Sequence, residues 1–392
     1  MLATITTPRI MLIGGGAVGE IAGMMAKLGC SKPLLVTDPY MRDSGKAAHV
    51  TDVLVAANIS WSMFADTVPE PTDDVVITGA EIINQGDFDC VIALGGGSPI
   101  DTAKAMTLLA HSGGTIRDYK VPHQPNEPGL PIIAIPTTAG TGSEVTKVTV
   151  ITDKASDEKM LIMGLACLPA AAIVDYELTY SVPYRTTADT GIDSLTHAIE
   201  AYVSAKHNSY TDTLALSAMG LIARNIRSAC NEPDNNTARE AMMLAATQAG
   251  MAFSNASVCL VHGMSRPIGA FFHVAHGLSN AMLLPAVTAF SAVAAMERYA
   301  ECAQAMGLVK RGSDINAAVK SLLAELRQLN IDLQVPSPKE YGIDEAKYFS
   351  LVKTMAEQAL ASGSPNNNPK VPTIEEISLN RNVSSLIDPR KS

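Results

Sequence analysis

In the run Gly191-Ile192-Asp193-Ser194-Leu195-Thr196-His197-Ala198-Ile199-Glu200, a carboxylate and an imidazole stand four residues apart. On a helix, Asp193 and His197 share one face. Such a pair can reach a single divalent ion, and buried without one it needs another source of compensation. A D-x-x-x-H spacing by itself is equally the pattern of an ordinary helix-surface pair. Further along, His262 and His276 flank a segment that ends in His273-Val274-Ala275, so four of the eight histidines follow this pattern. A carboxylate with several imidazoles suits Fe(II) or Zn(II), and the chemistry it serves is Lewis-acid activation of a substrate oxygen.

Two glycine-rich turns compete for a phosphate. Gly14-Gly15-Gly16-Ala17-Val18-Gly19 has the G-x-G-x-x-G spacing, follows a strand-like run, opens a helix and is trailed by Asp38 at the end of a second strand. Gly95-Gly96-Gly97-Ser98-Pro99-Ile100-Asp101 also leaves an apolar strand. There Ser98 is expected to cap the next helix, with Pro99 in its first turn and Asp101 three residues on. Bare glycine amides at a helix N-terminus bind anions. Glycine turns after strands also occur for steric reasons alone, so spacing leaves both open.

The elements that must position these groups follow from pattern. Through the first half, strand-like runs (RIMLIG, PLLVTD, CVIALG, PIIAIP, then VTKVTVIT and AAIVD) alternate with helical stretches to Leu28, near 41–57 and from Pro99. This is the pattern of parallel strands joined by crossover helices. After Pro183, segments rich in Ala, Leu, Met and Ile recur at helical spacing. Helices are expected near 187–203, 209–230, 237–256, 279–305, 313–329, 343–362 and 373–386, with a loop at SPNNNPKVP from Ser364. The expected organisation is therefore an α/β, Rossmann-like nucleotide domain over residues 1–184 and an all-α domain over 185–392.

Composition bounds the partners. A chain of 392 residues with 47% hydrophobic and 17% charged residues has enough apolar matter for two cores. The net charge of −10 and the lack of any Lys/Arg run argue against nucleic acid or an anionic membrane surface. No run of about 18 apolar residues suggests a membrane span, and no signal peptide is expected at the N-terminus, which points to the cytoplasm. Six scattered cysteines without a C-x-x-C pair read as reduced core thiols.

Taken together, VTDPY around Asp38, GGGSPIDTAK from Gly95, PTTAGTGSEVT from Pro136, KMLI at Lys159, GIDSLTHAIEAY from Gly191, AGMAFSNA from Ala249 and HGMSRPIGAFFHVAHG from His262 resemble the group III, iron-dependent alcohol dehydrogenase family. Its members include lactaldehyde reductase and 1,3-propanediol dehydrogenase, and the likeness runs over nearly the whole chain. The resemblance implies the iron-containing alcohol dehydrogenase architecture, shared with dehydroquinate synthase, and hydride transfer between an alcohol or aldehyde and a nicotinamide cofactor. It implies Asp193, His197, His262 and His276 as ligands to iron, with zinc as the alternative. It assigns the diphosphate to Gly95, Gly96, Gly97 and Ser98, further cofactor contacts to Thr137, Thr138 and Thr141, and the nicotinamide ribose to Lys159. A lysine solvated beside Asp157 and Glu158 is the plainer account of Lys159. An acid at Asp38 repels a 2′-phosphate, which favours NAD over NADP. The first glycine turn becomes chiefly structural, and a homodimer or larger homo-oligomer is implied.

The chain departs from the family where many relatives carry a histidine and this sequence has Arg266, which is permanently cationic and no general base. Arg266 either binds an anionic group on an aldehyde or hydroxy acid, or pairs with a nearby acid in the pocket wall. His273 then stands as the alternative proton-exchange residue. Ala286 also replaces a histidine common in relatives. Rivals to a dehydrogenase are a dehydroquinate-synthase-like lyase and a catalytically silent protein that binds NAD and metal.

Overall fold

The computed structural model describes residues 2–382. The chain forms two compact units, Ile5–Val182 and a second from Pro183 onward. The first is α/β. Its strands are β1 (Ile10–Ile13), β2 (Pro33–Val36), β3 (Ser62–Phe64), β4 (Cys90–Gly95), β5 (Ile132–Pro136), β6 (Val148–Asp153), β7 (Glu158–Met163) and β8 (Ala171–Val174). Helices α1 (Ile21–Leu28), α2 (Pro39–Asp43), α3 (Ala48–Ala56), α4 (Asp73–Gln85) and α5 (Gly97–Ser112) connect them.

Six strands make a parallel sheet in the order β1-β8-β5-β4-β2-β3, and β6 and β7 form a separate antiparallel pair. Strand β4 shows why this sheet has helices on both faces. All six of its residues are buried, and Val91 and Ala93 enter one core while Cys90, Ile92 and Leu94 enter the other. An apolar run of this kind has no solvent face, so both sides must be covered. The register pairs Gly95 with Pro136, which sets the ends of β4 and β5 side by side.

The second unit is helical: α6 (Tyr184–Val203), α7 (Ser209–Asn231), α8 (Asn236–Ala256), α9 (Leu260–Phe272), α10 (His276–Ala292), α11 (Met296–Ala305), α12 (Ile315–Asp332), α13 (Pro338–Tyr341), α14 (Glu345–Ala361) and α15 (Ile374–Asn382). From Thr187 onward nearly every residue of α6 is buried. Packed by its neighbours on all sides, α6 is the central rod of this unit.

Several elements differ from the sequence expectation. The helix expected over 279–305 is two, α10 and α11, separated at Val293–Ala295 where no glycine or proline announces a break. The end of the helix expected over 373–386 falls outside the described residues. Helix α9 was not among the expected helices; it forms with Pro267 in its interior because burial of its apolar face outweighs one lost hydrogen bond. The stretch near 41–57 is also two helices, and strands β3 and β7 and helix α4 were not anticipated. All six cysteines are free and buried.

Candidate functional site

Four donors converge inside the helical unit. Asp193 and His197 come from adjacent turns of α6, His262 from α9, and His276 from the first turn of α10. The imidazole Nε2 atoms of His197, His262 and His276 lie 3.9, 3.6 and 3.8 Å from Asp193 Oδ1. One donor atom from each residue falls within 4.8 Å of the other three. Asp193 and His197 are buried, so the surface-pair account of their spacing does not hold. Phe253 stacks on the His197 ring at 4.2 Å, and His197 stacks on His262 at 4.6 Å, which fixes the ring planes. Gly277 lets α10 approach this closely, since a Cβ there would stand 2.6 Å from the Asp189 carbonyl oxygen on α6.

Burial by itself would push the Asp193 carboxyl up, yet the imidazoles of His197, His276 and His262 hold it far below the ordinary carboxylate range. A buried anion facing three nitrogen donors requires positive charge among them. A divalent cation meets that requirement, and the Asp-plus-three-His donor set fits iron or zinc.

Glu200, which the sequence reading passed over, completes the arrangement. It lies buried on α6 three residues after His197, accepts His262 Nδ1–H at 2.7 Å, and takes the backbone amides of Cys259 (2.8 Å) and Val261 (2.6 Å). A carboxylate at the positive end of α9 is stabilised there, and by holding the proton on Nδ1 it leaves Nε2 as a lone-pair donor. The signal was available in GIDSLTHAIEAY: an acid among apolar neighbours on a helix buried all round.

The two residues expected in proton exchange or substrate binding both belong to α9, Arg266 within it and His273 as its C-cap. Arg266, one turn after His262, is half-buried, and its guanidinium donates to Ser364 Oγ at 3.1 Å. Burial lowers its pKa against the opposing field of Glu200, and among the described residues no carboxylate forms an ion pair with it. The paired-acid account of Arg266 is thereby corrected. His273 caps the C-terminus of α9 in the left-handed region at φ 53°, with its side chain exposed.

In the α/β unit, Gly95 ends β4 at φ 148°, where a Cβ would stand 2.6 Å from Pro99 Cγ. Helix α5 begins at Gly97 with Gly96 as its N-cap and no side-chain cap, so the capping role expected of Ser98 is not seen. Ser98 lies within the first turn and accepts Glu70 N–H at 3.3 Å, while the Asp101 carboxylate turns away to Ser143 and Val150. No side chain caps the amides at the start of α5, and amides so placed can bind an anion. A Cβ on Gly97 would stand 2.8 Å from Thr141 Cγ2, and Thr137 N–H donates to Gly95 O at 2.9 Å. Thr137, Thr138 and Thr141 thus line the same turn. Asp38 caps α2 through Met41 N–H at 2.8 Å. Lys159, on β7, pairs with Glu70 at 2.6 Å and not with Asp157 or Glu158, so the solvated-lysine account also fails.

The first glycine turn is occupied from within. Asp175, after β8, accepts Gly16 N–H at 3.2 Å and Val18 N–H at 3.0 Å. Its amides already hold an anion, and that anion is the protein's own.

Comparison with known proteins accords with this construction. Residues 8–176 match the family described as iron-containing alcohol dehydrogenase, and residues 187–379 match its C-terminal domain. The chain is 36% identical to the NAD-dependent methanol dehydrogenase of Bacillus methanolicus, over 94% of this chain and 96% of that protein. It is 36% identical to lactaldehyde reductase of Escherichia coli K12, over 93% of this chain and 94% of that one. The crystal structure of a 1,3-propanediol oxidoreductase superposes with a TM-score of 0.93 at 34% identity, covering 97% of this chain and 99% of the other. The fold is that of an α/β nucleotide-binding domain followed by a helical domain, and the chain belongs to the iron-containing alcohol dehydrogenase family.

Proposed function

We propose that this enzyme is a metal-dependent alcohol dehydrogenase and aldehyde reductase that moves a hydride between NAD and a small primary alcohol or diol. The observation that carries the proposal is the convergence of Asp193, His197, His262 and His276 on one point, the first three buried and His276 partly exposed. When bound there, a divalent metal, Fe(II) or Zn(II), polarises the alcohol or carbonyl oxygen while the nicotinamide takes or returns the hydride.

The chain's own residues do the rest. Glu200 keeps the His262 tautomer in which Nε2 faces inward. The amides at the start of α5, with Gly95, Gly96, Gly97 and Ser98, take the diphosphate, and Thr137, Thr138 and Thr141 add hydroxyl contacts along the same turn. Asp38 caps α2 with one oxygen and turns the other to the adenosine ribose, which favours NAD over NADP. Lys159 serves the nicotinamide ribose, held in place by Glu70. His273, exposed at the end of α9, exchanges the alcohol proton with solvent, and Arg266 braces the turn at Ser364. Among the described residues no single helix is long and apolar enough to cross a membrane. We place the enzyme in the cytoplasm as a homodimer or larger homo-oligomer.

The test is NADH absorbance after stripping the metal and reloading Fe(II) or Zn(II) without oxygen, scanned over neutral and anionic alcohols and aldehydes. Metal-dependent turnover of neutral short-chain substrates is expected. Turnover of anionic substrates alone would transfer the specificity role to Arg266, and no turnover with either metal would sink the proposal.

A further inference from the structure

Helix α5 carries a lysine on its buried side, two turns after Gly97. Lys104 is fully buried. Its ammonium donates to Ser143 Oγ at 2.9 Å, to Thr146 Oγ1 at 3.1 Å and to the Val148 carbonyl at 2.8 Å, so all three of its hydrogens are matched. None of these acceptors is a carboxylate. Asp101, one turn nearer to Gly97, is reached through Ser143, whose hydroxyl donates to Asp101 Oδ1 at 2.6 Å. A hydroxyl has one hydrogen to give, so Ser143 gives it to the carboxylate and takes the ammonium on a lone pair. Burial raises the Asp101 carboxyl and lowers the Lys104 ammonium, and their mutual attraction works against both shifts.

The same groups grip two further segments of the α/β unit. Asp101 Oδ2 accepts Val150 N–H at 2.9 Å, and the Asp101 carbonyl accepts the Thr149 hydroxyl at 2.9 Å. Both belong to β6, which pairs Thr152 with Lys159 on β7. Ser143 N–H donates to Thr141 Oγ1 at 3.2 Å, and Thr141 is the side chain that stands against Gly97. Burying a lysine costs both rotamer freedom and the hydration of its charge. A methionine would fill the same slot without the second cost, so packing alone does not account for the ammonium.

We propose that Lys104 and Ser143 are positioning residues for the cofactor: together they set the register of the Thr141 turn against the first turn of α5, and with it the width of the cleft that takes the diphosphate. The inference rests on the assignment of the diphosphate to Gly95–Ser98 in the function proposed above. Both residues act through Thr141 and not by contact with the cofactor. Hydrogen bonds hold their strength over only a few tenths of an ångström, so a small shift of this turn weakens its contacts to the diphosphate together.

The experiment is fluorescence titration of NAD and of ADP-ribose, which keeps the diphosphate and lacks the nicotinamide. It uses metal-loaded wild type, Ser143→Ala, Lys104→Met, Thr141→Ala, the Ser143→Ala/Thr141→Ala double variant and Gly97→Val, each first shown to be folded by its unfolding midpoint. Ser143→Ala and Lys104→Met should raise both dissociation constants about tenfold. In turnover, KM for NAD should rise with them while kcat at saturating NAD stays within about twofold. Placed in the Thr141→Ala background, Ser143→Ala should add less than about threefold, because the two act through one contact. NAD binding by folded Ser143→Ala and Lys104→Met that matches wild type, or full additivity with Thr141→Ala, would overturn the inference, while weakened binding by Gly97→Val would leave the diphosphate assignment standing. Unchanged binding by Gly97→Val as well would overturn both. Ser143→Ala leaves the ammonium two of its acceptors, and it decides the matter if Lys104→Met does not fold.

Discussion

Two glycine turns leave parallel strands of the same sheet and open helices, yet only one has its amides taken by a carboxylate of the chain. At Gly14–Gly19 the buried carboxylate of Asp175 already accepts the amides of Gly16 and Val18, and Tyr176 and Glu177 close over Gly15, whose Cβ would stand 2.8 Å from Glu177 Oε1. At Gly95–Ser98 no side chain caps the start of α5, and the glycines instead admit Pro99 and Thr141 from the protein side. Amides gathered at a turn favour an anion, and at the first turn that anion is Asp175. What separates them is whether the chain brings its own anion. The glycine motif alone carries no information on that point, because the deciding residue, Asp175, lies 159 positions from Gly16.

The largest effect is expected where the open turn is closed by a side chain. Gly97→Val puts branched carbon against Thr141, already 2.8 Å from an ideal Cβ, and crowds the amides proposed above to take the diphosphate. The NAD dissociation constant should rise about tenfold to a hundredfold, on the order of 1.4–3 kcal/mol, while metal content stays that of wild type. Nucleotide binding by fluorescence titration checks this, and equal binding by the variant would mean that the diphosphate sits elsewhere. The next effect belongs to the closed turn. Asp175→Ala leaves the Gly16 and Val18 amides without their acceptor at a buried site, which should cost about 1–3 kcal/mol of stability. Denaturant unfolding reads that loss. A large rise in the NAD dissociation constant for folded Asp175→Ala would break the comparison, since it would give the first turn a part in binding.

The alternation of strands and helices was legible because a buried parallel strand such as CVIALG must be apolar throughout, and the ends of α7, α8 and α14 follow their helical period closely. The fourfold spacing of Asp193 and His197 placed both on one face of α6, as the geometry of a helix requires. His262 and His276 were tied to that pair by family likeness and not by spacing, since contacts between α6, α9 and α10 are tertiary. For the same reason Glu200 escaped notice: it acts through His262 on another helix, and its residue type does not mark itself. Ser98 misled because capping preference describes the start of a helix, while α5 begins one residue earlier on the glycines. Helix α9 was hidden by Pro267, whose local cost is overruled by packing.

The smallest effect sharpens the comparison most, because it separates a glycine needed for backbone shape from one needed for access. Gly16 holds φ 74° with open space where a Cβ would go, so Gly16→Ala meets no neighbour and pays only for the left-handed backbone, about 1 kcal/mol. Gly97 has no such backbone constraint and is limited by Thr141 alone. Unfolding of Gly16→Ala should shift by that small amount with NAD binding held within about twofold, or 0.4 kcal/mol. Loss of NAD affinity in Gly16→Ala with stability intact would instead mean that the amides now held by Asp175 yield to the cofactor, and the two turns would then share its diphosphate.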